Sequence, residues 1–121
     1  MKIAIPTNGN RGLDEEIGFH FGRVPTYTIV DTDTNEVTVI DNTSEHQGGA
    51  GLPPEIIVKA GASVMLISAA GMMAIQMLNK YGIKVYTGAQ GTVRQALEDF
   101  EKGVLKSADI DDACEGHHQY E

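Results

Sequence analysis

Four histidines and one cysteine are the side chains through which this 121-residue chain could bind a transition metal. His20 stands in the segment FHFGR, between Phe19 and Phe21 and followed by Gly22 and Arg23. A neutral imidazole beside a cation keeps a nitrogen lone pair, and that is the form that ligates metal. Flanking phenylalanines would exclude water from such a bond. The alternative is a core histidine whose hydrogen bond is satisfied internally.

The other candidate ligands fall into two groups. His46 precedes the glycine-rich segment GGAG, at residues 48–51, and is the second candidate for a binding role. Near the carboxyl terminus, the segment CEGHHQ places Cys114, His117 and His118 close together. Thiolate and imidazole suit a soft or borderline metal, although the spacing is not that of a zinc finger. A solvated tail without metal is the competing interpretation.

Glycines recur where predicted strands give way to helices. Glycine lets backbone N–H groups approach a ligand closely, and a helix N-terminus adds partial positive charge. In open α/β sheets these junctions meet at one edge, so together they predict a cradle for an anionic ligand. Tight turns are the alternative role for each glycine. No segment matches the phosphate-loop or dinucleotide pattern. The glycines assigned to the cradle are Gly48, Gly49, Gly51, Gly71, Gly88 and Gly91.

The elements that position these residues are predicted in the order β-β-β-α-β-α-β-α. Alternating or continuous apolar runs indicate five strands, of which the second and third form a hairpin. The later βαβα order indicates parallel pairing, so we expect a mixed five-stranded sheet in a three-layer α/β/α domain. The strand segments are KIAIPT (2–7), TYTIVDT (26–32), EVTVIDN (36–42), SVMLISA (63–69) and IKVYTG (83–88).

Three helices are predicted, in LPPEIIVKAG, GMMAIQMLNKYG and TVRQALEDFEKG, each with a glycine stop. In the third helix, Thr92 and Gln95 have the spacing of a capping box. The apolar stripe of the third helix is Val93, Ala96, Leu97 and Phe100, and that of the second is Ala74, Met77, Leu78 and Tyr81.

The predicted organisation is one domain, residues 1–106, followed by an acidic, mobile tail at 107–121. The tail carries −5 of the formal net charge of −8. The acidic balance argues against nucleic acid as a partner, and no apolar run is long enough to span a membrane. The amino-terminal segment lacks a signal-peptide pattern and one cysteine allows no internal disulfide, so the cytoplasm is the expected location.

Several of these segments resemble the dinitrogenase iron–molybdenum cofactor biosynthesis family, which includes NifX, NifY and the carboxyl-terminal domain of NifB. The resemblance covers about residues 2–106 and is carried by KIAIPT, HFGR (20–23), GGAG (48–51) and YGIKVYTGAQGTVRQALEDFEKG (81–103). It implies a ribonuclease H-like fold and the binding of iron–sulfur or iron–molybdenum cluster precursors. It also implies donor and acceptor proteins as partners, and His20 as the favoured cluster contact.

Two other functions compete with a non-catalytic cluster carrier. A metal-ion buffer would use the Cys/His tail and leave the domain as a scaffold. A ribonuclease H-like nuclease would need clustered carboxylates that hold two magnesium ions, beginning on the first strand. The segment KIAIPT contains no carboxylate, and the acidic charge repels nucleic acid.

Overall fold

A computed structural model describes residues 1–43 and 52–108. These residues contain six strands, three α-helices and one 3-10 turn at Gly12–Asp14. The strands are β1 (Lys2–Thr7), β2 (Thr26–Asp31), β3 (Val37–Asp41), β4 (Val64–Ile67), β5 (Lys84–Thr87) and β6 (Lys106–Ser107). The helices are α1 (Pro53–Lys59), α2 (Met72–Lys80) and α3 (Val93–Glu101). Among the described residues, no helix combines the length and apolar character needed to cross a membrane.

All six strands form one mixed sheet in the order β3-β2-β1-β4-β5-β6. β1, β4 and β5 are parallel, β2 and β3 form the predicted antiparallel hairpin, and β6 pairs antiparallel with β5. The expected count of five strands is therefore one short. The two residues of β6 show no apolar alternation, so only backbone pairing with Tyr86 and Thr87 reveals them. β6 crosses the boundary drawn at residue 106, and the extent of domain and tail stays a prediction.

The sheet separates two apolar clusters, which makes the fold three-layered. Alternate residues of β1 serve both faces: Ala4 joins one cluster, and Ile3 and Ile5 join the other. The first cluster includes Ile57 of α1 and Leu78 of α2, and the second includes residues of α3. Burying one such aliphatic side chain contributes about 1.5–3 kcal/mol, so the central strand stabilises both layers.

The apolar stripe predicted for α2 is partly wrong. Ile75 and Leu78 are the buried residues, whereas Ala74 and Met77 are half-buried and Tyr81 is exposed beyond the helix end. This helix is apolar at most positions, so its periodicity alone does not select one face.

The stripe of α3 is confirmed, with Val93 and Ala96 buried. Half of its capping box is formed. The Thr92 hydroxyl accepts a hydrogen bond from the Gln95 N–H at 3.2 Å, while the Gln95 side chain donates to Asp99 instead.

One edge of the sheet gathers the predicted site residues that the structure describes. The register places Thr7 at the end of β1 beside Thr26 at the start of β2, and Ile67 beside Thr87. The segments 8–25, 68–71 and 88–92 therefore all leave from the same edge. Thr26 also pairs with Asp41, so β3 ends there too.

Candidate functional site

A cleft of about 270 Å³ opens at this edge, between the FHFGR segment and the start of α2. Phe19, His20, Phe21, Gly22 and Arg23 line one side. Ala69, Ala70, Gly71 and Ala74 line the other. The structure thus brings the predicted histidine segment together with one of the predicted cradle glycines, although they lie some fifty positions apart in the chain.

The two phenylalanines beside the histidine have different roles. Phe21 is half-buried and packs against the core on the α1 and α2 face. Phe19 is 70% exposed, and its ring meets the His20 imidazole edge-on at a centroid distance of 5.4 Å. His20 itself is exposed, so the interpretation of a core histidine is wrong. The segment is anchored by one aromatic ring and presents the imidazole beside the other.

A buried tyrosine fixes the backbone beneath the imidazole. The Tyr27 hydroxyl donates to the carbonyl oxygen of Phe21 at 2.6 Å, and the Arg23 N–H donates to that of His20 at 3.1 Å. Burial raises the pKa of Tyr27 well above its ordinary value of 10.0. The hydroxyl therefore stays protonated and donates throughout the physiological pH range.

A buried asparagine holds the same segment from a second side. The Asn42 Nδ2 donates to the carbonyl oxygens of Gly22 at 3.0 Å and Val24 at 2.8 Å. Its backbone N–H donates to Pro25 at 2.9 Å. Sequence reasoning missed both Asn42 and Tyr27. Both lie in segments whose pattern predicts only a β-strand, and neither position carries a motif.

The opposite wall of the cleft is the start of α2. Gly71 is its N-cap and, as a glycine, supplies no side-chain cap. The first-turn N–H groups have no partner within the helix, and the helix dipole adds partial positive charge there. Apart from Gly71 and its two chain neighbours, no described residue has an atom within 4 Å of the position that a Cβ on Gly71 would take. With Arg23 on the facing wall, the arrangement suits an anionic ligand.

Gly88 and Gly91 lie at the same edge but do not line the cleft. Their φ values of 98° and 78° are ones that side chains rarely adopt. The Gly88 N–H donates to Ser68 at 3.0 Å, and the Gly91 carbonyl accepts from Ile17 at 2.9 Å. Turn geometry accounts for both glycines, and a binding role for them stays a prediction.

A buried carboxylate secures the start of the segment that leads to the cleft. Glu15 accepts from the Arg11 side chain, closest at 3.2 Å, and from the backbone N–H of Glu16 at 2.9 Å. These hydrogen bonds, that from Arg11 foremost, lower the pKa of Glu15 below its ordinary value of 4.5. The Glu15 carbonyl also accepts from the N–H of Val93, which ties this segment to α3.

A larger groove of about 710 Å³ lies between β3 and α1. Ile40, Ile56 and Val58 contribute to its lining, together with Asp41 and Lys59. Its described lining includes no histidine or cysteine and no glycine of the predicted cradle. The smaller cleft is therefore the candidate site.

The family model described as dinitrogenase iron–molybdenum cofactor matches residues 1–103. The chain belongs to this family. The match confirms the resemblance carried by the sequence motifs, and it contains both walls of the cleft. No curated protein is similar to the chain at a significant level.

Solved structures agree with membership of the dinitrogenase cofactor family. The apo form of the orange protein from Desulfovibrio gigas is 33% identical, with a TM-score of 0.78 over 88% of this chain and 92% of that one. A putative NifB protein from Thermotoga is 28% identical, with a TM-score of 0.72 over 88% and 91%. A putative dinitrogenase from Methanocaldococcus jannaschii, 22% identical, shares the fold, with a TM-score of 0.66 over 88% and 93%. The ribonuclease H-like class stays a prediction.

Several predicted ligands of this family member lie outside the described residues. They are His46, Gly48, Gly49, Gly51, Cys114, His117 and His118. Within residues 1–43 and 52–108, no group of three or more His, Cys, Asp or Glu side chains is placed to hold a metal ion.

Proposed function

We propose that this protein binds and carries a preassembled iron–sulfur or iron–molybdenum cluster precursor in the cleft, without catalysing a reaction. The observation that supports this most is the exposed His20 imidazole, which is held on a fixed backbone and lines the same cleft as Gly71 at the start of α2. Membership of the dinitrogenase iron–molybdenum cofactor family supports a cargo of this chemical class.

The ligand chemistry favours a cargo that brings its own sulfides. One cysteine cannot supply the four thiolates of an ordinary protein-bound cluster. His20 would provide one directional bond, while Arg23 and the amides at the start of α2 would offset the negative charge of the cargo. Few protein bonds suit a carrier, because the cargo must leave again.

The proposal includes partners and a place of action. A donor protein delivers the precursor and an acceptor protein takes it, both in the cytoplasm. Neither nucleic acid nor membrane takes part in this scheme. The competing function is a metal-ion buffer that uses Cys114, His117 and His118.

The test is anaerobic titration with isolated iron–molybdenum cofactor and, separately, with a thiolate-ligated [4Fe–4S] cluster. Bound metal and absorbance would be compared for the wild-type chain, His20→Ala and a chain ending at residue 108, which keeps β6 intact. The carrier predicts binding that survives the truncation and falls at least about tenfold in His20→Ala, a loss of about 1.4 kcal/mol. Binding that disappears with the tail would support the buffer. Equal binding by His20→Ala would overturn the proposed site.

A further inference from the structure

The segment that carries the imidazole has no regular secondary structure. Residues 19–25 form bends and turns between β1 and β2. Without a ladder of its own, such a segment keeps one conformation only where other groups hold its backbone. The direction of the His20 side chain therefore depends on those groups.

Asn42 holds the segment after Phe21 through hydrogen bonds to its backbone. Its side chain and backbone together donate to three carbonyl oxygens, those of Gly22, Val24 and Pro25. Asn42 is 6% exposed, and Gly22 and Val24 are buried, so water cannot readily replace these bonds. Since Asn42 directly follows β3, its hydrogen bonds fix the position of the segment relative to the sheet.

We infer that Asn42 is a positioning residue that holds the His20 turn in its binding conformation. The inference rests on the proposed function of the cleft. Asn42 does not line the cleft, so it acts through the backbone of residues 22–25 and not by touching the cargo. Tyr27 supports the same turn at Phe21, and Asn42 holds Gly22, Val24 and Pro25.

Asn79 offers a matched control. Its Nδ2 donates to the carbonyl oxygen of Ile83 at 2.9 Å, at the carboxyl end of α2 and away from the cleft. Asn42→Ala and Asn79→Ala each remove a side-chain amide that donates to backbone carbonyls. The described side-chain bonds of Asn42 hold the histidine turn, whereas that of Asn79 lies at the end of α2. Asn42→Ser, which keeps one shorter donor, serves if Asn42→Ala does not fold.

The first measurement is hydrogen exchange and NMR on the apo protein. The Arg23 N–H, which donates to the His20 carbonyl, should exchange at least tenfold faster in Asn42→Ala, and the His20 ring signals should shift. In Asn79→Ala both should match the wild type. Unchanged Arg23 exchange and ring signals in folded Asn42→Ala, or equal changes in both variants, would overturn the inference.

The second measurement is titration with isolated iron–molybdenum cofactor. Asn42→Ala should bind at least tenfold more weakly than the wild type, and Asn79→Ala within twofold of it. A loosened turn with unchanged binding would also overturn the positioning role. If the wild type binds no cluster, the proposed function fails, while the exchange measurement still decides whether Asn42 sets the histidine turn.

Discussion

Two glycines at the site edge should respond to alanine in opposite ways. Gly71 has φ −74° and ψ 165°, which any residue adopts. Apart from its two chain neighbours, no other described residue has an atom within 4 Å of the position that an added methyl group would take. Alanine is a poorer N-cap than glycine, by about 1 kcal/mol or less. Gly88 has φ 98°, so alanine there adds about 1–3 kcal/mol of backbone strain. Gly71→Ala should therefore stay near wild-type stability, and Gly88→Ala should unfold several degrees lower.

Binding should show the reverse pattern. A cargo that accepts hydrogen bonds from the start of α2 must come within about 3 Å of the backbone, and a methyl group on Gly71 blocks that approach. Losing a hydrogen bond to a charged group costs about 1.5–3 kcal/mol, or roughly tenfold to a hundredfold in affinity. Gly88 does not line the cleft, so folded Gly88→Ala should bind nearly as the wild type does.

The assay pairs thermal unfolding with anaerobic titration of isolated iron–molybdenum cofactor on the same samples. Wild-type affinity in Gly71→Ala would show that the cargo does not contact the start of α2. Equal loss of stability in both variants would refute the steric argument for Gly71, whatever the binding result.

Three further predictions concern the support and charge of the cleft. Tyr27→Phe leaves the half-buried Phe21 carbonyl without its donor, so denaturant unfolding should show a loss of about 0.5–1.5 kcal/mol; no loss would mean that another donor replaces the hydroxyl. Arg23→Ala should weaken cluster binding and flatten its salt dependence. Lys84→Ala removes a cation at the start of β5, at the opposite end of the sheet from the cleft, and should do neither. For Glu15, the folded pKa is lowered, so its stabilisation is present above the ordinary pKa of 4.5 and is lost as pH falls through the folded value. Acid titration of Glu15→Gln should show lower stability at pH 7 and a shallower decline as the pH falls below the ordinary pKa of 4.5; a parallel decline would contradict this sign.

The strands were predictable because their signals are local. The run SVMLISA predicted β4 as a strand buried on both faces, and β4 is buried at all four positions. β6 escaped prediction because two residues carry no period, and pairing with Tyr86 and Thr87 is a tertiary event. In α2, apolar methionines at neighbouring positions hide the 3.6-residue period of the buried side chains. The buried face is set by the packing of Leu78 in the core.

The meeting of His20 and Gly71 in one cleft was foreseeable from topology, because loops at the carboxyl ends of parallel strands share an edge. The side chains that hold the loops in place were not foreseeable. Asn42 donates to the carbonyl oxygen of Gly22, 20 positions earlier, and Glu15 accepts from Arg11 within one loop. No spacing pattern in the sequence identifies either pair of partners.

The groups that support the histidine turn are different from the side chains that the turn exposes. The donors that fix the turn, Tyr27 and Asn42, end on backbone carbonyls, which every residue possesses. The exposed rings of Phe19 and His20 make little contact with the core, and exchanging such residues usually changes stability by no more than about 0.5 kcal/mol. The turn should therefore keep its shape when its exposed side chains are replaced. On this argument, ligand preference can change at Phe19 and His20 while the cleft stays formed in the protein without cargo.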